Sequence, residues 1–116
     1  MTDLKTKLKE FIGSDCFYKH PLFPKYLYTE GVCYLAKEAN AYWLIEYIFS
    51  RQEEKLSKYS FQIWKLQVHK NRTANVIVEN GDCEKITSYQ LDFTNFPMEE
   101  ITLWFTNNTL LLPSEY

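Results

Sequence analysis

Two hydrophobic periods divide the chain. Up to about residue 52 apolar residues recur at helical spacing, and beyond residue 60 they alternate with polar ones. Leu4, Leu8, Phe11 and Ile12 form one stripe with Lys5, Lys7 and Lys9 pointing away, which predicts a helix over Asp3–Ile12. Thr2 is its cap candidate, and Gly13 suits the position just past its end. Val32, Leu35, Ala36 and Ala39 predict a second helix, from the cap Thr29 to about Ala39. Asn40 is a natural break, and AYWLIEYIFSRQ (residues 41–52) predicts a third helix, apolar nearly all round except at Glu46. Between the first two helices lies CFYKHPLFPKYLY, residues 16–28, read as an irregular aromatic stretch because Pro21 and Pro24 bar a long helix.

The second half reads as strands. FQIWKLQVH places Trp64, Leu66 and Val68 on one face, and ANVIVE places Ala74, Val76 and Val78 together. Asn80-Gly81-Asp82 is a hairpin signal, since Asn-Gly accepts positive φ at both turn positions. A strand follows over residues 84–93, then ITLWFT and TLLLP, joined tightly at Asn107-Asn108. The expected fold is α+β: two to three N-terminal helices packed on one face of an antiparallel meander of about five strands, in a single domain over 1–116. The tail LLLPSEY reads as the last strand, Leu110 and Leu112 on one side and Leu111 on the other. It is taken as an edge strand stopped by Pro113, leaving Ser114–Tyr116 as the part free to serve as a tag.

Composition narrows the class. An apolar fraction of 46%, with 24% charged residues and 3 Gly, is that of a packed globule rather than a disordered chain. The 9 Tyr, 8 Phe and 3 Trp are a surplus of aromatics. Cys16, Cys33 and Cys83 are odd in number and widely spaced, which fits neither a disulfide framework nor a zinc site. The N-terminal segment has no apolar signal core, and no run approaches the ~18 apolar residues of a span, so a cytoplasmic protein without membrane contact is expected.

Charge is uneven although the net is −2. Residues 51–72 carry a net +4, from Arg51, Lys55, Lys58, Lys65, Lys70 and Arg72 against Glu53 and Glu54, while residues 79–116 carry −6. Arg51, Lys55, Lys58, Lys70 and Arg72 are the candidate anion-binding set, and with loop aromatics they define a nucleic-acid-binding alternative. The acidic final third argues against it.

Catalytic signals are sparse: there is no phosphate-cradling glycine loop, nucleophile elbow or His-Glu-x-x-His motif. No cofactor, metal or catalytic residue is assigned. A small enzyme built on Cys16, Tyr18 and His20 is the weakest reading, since a nearby imidazole can activate a thiol. Asparagine sequons at Asn71 and Asn107 read as turns. The preferred reading is a non-enzymatic interaction domain, with Tyr18, His20, Tyr26, Tyr28, Trp104 and Tyr116 as partner-binding candidates and a homodimer left open.

YTEGVCYLAKEANAYWLIEYI and LLLPSEY carry a resemblance along nearly the whole chain. It is to a family of small uncharacterised bacterial proteins associated with cyanobacteria, plasmids and other mobile elements. Phe11, Asp15, Tyr18 and His20 loosely match its F-x-x-x-D-x-x-Y-x-H start. Asn40-Ala41-Tyr42-Trp43-Leu44 matches its helix start, with Asn where the family pattern has Gly. The resemblance implies a bacterial, single-domain, cytosolic protein and no catalytic residues. Its mobile-element association points toward a modulator of a host or defence component.

Overall fold

The computed structural model describes residues 4–12, 16–52, 56 and 58–116. Its elements are α1 (Leu4–Leu8), β1 (Phe17–His20), β2 (Phe23–Thr29), α2 (Glu30–Glu38), α3 (Tyr42–Arg51), β3 (Phe61–Val68), β4 (Ala74–Asn80), β5 (Lys85–Leu91), β6 (Glu100–Thr106) and β7 (Thr109–Leu111), then a 3-10 turn over Pro113–Glu115. The expected helices on a five-stranded antiparallel meander are overturned. The chain is mostly sheet: one 7-stranded mixed sheet in the order β1-β2-β7-β6-β3-β4-β5, with short helices.

Two pairings make the difference. The stretch over residues 16–28 forms the hairpin β1–β2, with Tyr18 opposite Tyr28 and Lys19 opposite Leu27. Pro21 sits in its turn, and Pro24 lies near the start of β2, before the residues that pair with β7, where no ladder donor is needed. β2 then runs parallel to β7 through Leu27–Thr109 and Tyr28–Leu110. The tail strand is therefore interior, between β2 and β6, and not an edge.

Most other local expectations hold. Thr29 caps α2, its hydroxyl accepting from Val32 N–H at 3.3 Å. Asn40 has φ 55, a left-handed position that glycine or asparagine fills most easily. Asn107 and Asn108 have φ 52 and 58, as a two-residue hairpin turn requires. The Asn80-Gly81 turn differs: positive φ falls on Cys83 (64), and the Asn80 side chain accepts from Asp82 and Glu84 N–H. The ladder beside it shifts register between Val78 and Glu79. The first helix is shorter than expected, and Thr2, Asp3 and Gly13 lie outside the described residues.

The core lies between the helices and one sheet face. Tyr26, Tyr28, Trp64, Leu66, Val76, Val78, Leu103, Phe105 and Leu110 meet Leu35, Leu44, Ile48 and Phe49 there. Two buried glutamines are embedded in it. Gln52 and Gln62 exchange amide hydrogen bonds of 2.8 and 2.9 Å, and Gln62 also donates to Leu56 C=O and accepts from Trp64 Nε1–H. Unpaired, each buried amide would cost about 1–3 kcal/mol, so the reciprocal pair is what lets both stay dry.

The terminal turn closes the fold. The Glu115 carboxylate accepts from the Thr29 hydroxyl (2.6 Å), Gly31 N–H (3.1 Å) and Leu112 N–H (2.9 Å). It thus sits at the N-terminus of α2, where orphan N–H groups and the helix dipole favour an anion. Gly31 leaves the room: a Cβ there would meet Glu115 and Leu112 side-chain atoms at 2.7 Å. Glu115→Ala and Gly31→Ala are each expected to destabilise by roughly 1–3 kcal/mol in denaturant unfolding. The double variant should lose less than the sum, because removing the carboxylate removes most of the clash; strict additivity would refute the link. Deleting 114–116 should lower the melting temperature.

Candidate functional site

The face of the sheet that no described helix covers carries the side chains of opposite parity. On β3 these are Phe61, Ile63, Lys65 and Gln67, on β4 Asn75, Ile77 and Glu79, and on β6 Thr102, Trp104 and Thr106. The face divides into two halves. Toward β5 it is polar, with Lys65 and Glu79 paired at 3.2 Å. Toward β7 it is apolar and aromatic.

That aromatic half is an assembled group. Trp104 and Phe61 meet edge to face at 5.3 Å, and Tyr116 closes on both, at 5.2 Å from Trp104 and 5.7 Å from Phe61. Register explains it: Trp104 lies opposite Ile63 and Leu111, and Phe61 opposite Thr106. Tyr116 is carried over them by the turn that Glu115 anchors. The Tyr116 ring remains 73% exposed and Phe17, on β1, 52% exposed. Between them opens a cleft of about 290 Å³ lined by the apolar Phe17, Leu111 and Tyr116 and by Thr29, Thr106, Asn107, Thr109 and Glu115, with no basic residue in its lining among the described residues.

The sequence candidates separate onto different surfaces. Trp104 and Tyr116 belong to the open face. Tyr26 is buried in the core against Phe49 and Phe105. Tyr18 stacks on Tyr28 at 5.6 Å on the helix side, beside Cys33 and Tyr42. His20 is buried; its Nδ1 accepts from Leu22 N–H (3.1 Å), so Nε2 carries the proton and donates to Glu46 at 2.9 Å. Cys16 precedes β1 and His20 ends it, about 13 Å of extended chain apart. The thiol and imidazole are not brought together.

The basic set is scattered as well. Arg51 lies over the rings of Tyr47 (4.3 Å) and Tyr89 (5.1 Å). Arg72 donates to Thr94 and Phe96 carbonyls at 3.0 and 2.7 Å, which holds the chain after β5. Lys58 precedes β3, whereas Lys70 and Arg72 follow it, so an eight-residue strand separates them. Lys55 lies outside the described residues. Phe61 and Glu115 are not among the sequence candidates, and Phe17 enters only in the run Phe17-Tyr18-Lys19-His20, whose alternating aromatic and basic residues belong to the nucleic-acid alternative. The alternation of Phe61 with Gln62, Ile63 and Trp64 could have marked Phe61, whereas nothing local marks Glu115.

The family model for a "Family of unknown function (DUF6876)" matches residues 2–116. The chain belongs to the DUF6876 family. No curated protein and no solved structure matches it. In this DUF6876 chain no group of three or more His, Cys, Asp or Glu converges as a metal site among the described residues. No described helix is long and apolar enough to cross a membrane.

The tyrosine cluster has one electrostatic signature. Tyr18 is held above the ordinary phenol value chiefly by the charge of a Cys33 thiolate, and Tyr28 and Tyr42 by burial first and Cys33 second. The folded state therefore favours the neutral phenols. Their contribution to stability is present below the ordinary phenol pKa and is lost as pH rises through the folded one. Cys33→Ser should shift phenolate absorbance to lower pH in an alkaline titration; an unchanged curve would remove Cys33 as a cause.

Proposed function

We propose that this chain is a non-enzymatic protein-interaction domain that docks a partner on the aromatic half of its open sheet face. The observation that carries the reading is the Trp104–Phe61–Tyr116 group beside the Phe17 cleft. Aromatic side chains exposed on a rigid sheet are the kind of anchor that dominates binding energy at interfaces. The partner's chemistry follows from the lining: an apolar side chain against Phe17, Leu111 and Tyr116, polar groups for the Thr and Asn side chains, and a basic residue facing the Glu115 carboxylate. The family resemblance supports a bacterial, cytoplasmic setting and a mobile-element product that modulates a host or defence protein. Nucleic acid is the weaker reading, because β3 separates Lys58 from Lys70 and Arg72, Arg51 lies over tyrosine rings on α3 and β5, and Arg72 is engaged by carbonyls.

Affinity capture from the native host, with the wild type beside Phe17→Ala/Tyr116→Ala, tests it. Both side chains are largely exposed, so the variant should melt near the wild type. A polypeptide with a basic segment should be held by the wild type and bound at least tenfold more weakly by the variant. Identical capture profiles, or no partner at micromolar concentration, would count decisively against the proposal.

A further inference from the structure

The sheet has two edges, and they are protected very differently. β1 has 4 residues, is kinked by a register shift between Lys19 and His20, carries the exposed Lys19 and is followed by Pro21. Short length, a kink, a lysine and a proline are the usual guards of an edge. β5 has 7 residues, KITSYQL, no proline, and no charge after Lys85. Among the described residues it pairs with β4 alone.

The ladder fixes which β5 groups point outward. Val68 N–H donates to Glu99 C=O, toward β6, and His69 N–H to Thr73 C=O, toward β4. Backbone groups of successive strand residues point to opposite sides, so Trp64, Leu66 and Val68 bond toward β6, and Ile63, Lys65 and Gln67 toward β4. On β4, Asn75, Ile77 and Glu79 then answer β3, leaving Ala74, Val76 and Val78 to face β5. Their partners Leu91, Tyr89 and Thr87 point inward. Ser88 and Gln90 therefore direct N–H and C=O away from the sheet.

We propose that β5 is a self-association edge, pairing antiparallel with β5 of a second copy about a two-fold axis at Tyr89. That axis sets Ser88 of each copy opposite Gln90 of the other, each pair exchanging both N–H···O bonds. It places the two Tyr89 side chains at the non-hydrogen-bonded position between them, where facing side chains come closest. Tyr89 is half-buried, stacked on Trp64 (6.4 Å, 11°) and flanked by Tyr47 (5.8 Å) and Arg51 (5.1 Å), so the second ring meets an aromatic and cationic cluster already in place. An axis at Ser88 would instead bring Glu84 toward Asp92 of the other copy, a like-charge contact. Because the axis is perpendicular to the sheet, the helices of both copies lie on one side and both open faces on the other. The docking face proposed above stays free, and this inference does not rest on it.

Analytical ultracentrifugation of the full chain under reducing conditions tests it, with a thermal melt across concentration. The wild type should sediment at about twice its 13.9 kDa at high micromolar concentration, with a melting temperature that rises with concentration. Gln90→Pro removes an outward N–H and leaves β4 pairing intact; it should weaken association at least tenfold while the monomer keeps its circular dichroism. Ser88→Lys/Gln90→Lys, which opposes like charges across the axis without changing the backbone, should do the same and serves if the proline variant misfolds. A wild type that stays monomeric at every concentration, or a dimer that both folded variants leave unchanged, overturns the proposal.

Discussion

The structure depends on one carboxylate. Glu115 gathers donors from three places: the hydroxyl that caps α2, the first turn of α2 itself, and the backbone where β7 ends. The parallel β2–β7 ladder it stands beside is short, with two residue pairs to join the N-terminal hairpin to the rest of the sheet. A further bond, Leu27 N–H to Asn108 C=O at 2.8 Å, supports it. Such a pairing closes a loop of some eighty residues, so its entropic cost falls on few contacts. A charge-assisted clasp at a helix N-terminus is stronger per bond than a neutral one, which is why it suits that place. Gly31 is part of the same device through what it lacks.

The clasp also sets the surface. By fixing the turn over Pro113–Glu115 it delivers Tyr116 onto Phe61 and Trp104, so the aromatic group on the open face is a consequence of how the chain closes. The opposite face is sealed by α2 and α3 and contains the Gln52–Gln62 pair, whose amides satisfy one another within an apolar surround. The sheet is thus one-sided: helices and core on one face, a divided polar and aromatic surface on the other.

Much of the local structure was legible in the chain. Thr29 as a cap, the left-handed break at Asn40, the Asn107-Asn108 turn and the core positions Trp64, Leu66, Val76 and Val78 rest on φ preferences and period-two burial, which act over a few residues. The β1–β2 hairpin was hidden because its prolines mask the alternation that Tyr18, His20, Tyr26 and Tyr28 do show. The candidate site was half legible. Trp104 and Tyr116 were marked by their chemistry and Phe61 by the alternation along its strand, whereas Phe17 joins them only through strand order. His20 and Tyr26 looked free for binding and are instead engaged, by Glu46 and by the core.

The amino-acid sequence by itself determined where the chain turns, which residues alternate into the core and which helix begins at Thr29, because these follow from backbone sterics and burial at short range. Only the tertiary structure decided that residues 17–20 and 23–29 are strands, that the tail lies inside the sheet, and that Glu115 caps a helix 84 residues away at Gly31. Parallel pairing between distant strands leaves no period or turn signal in the intervening chain. The role of Glu115 therefore becomes visible only when the two ends of the sheet are side by side.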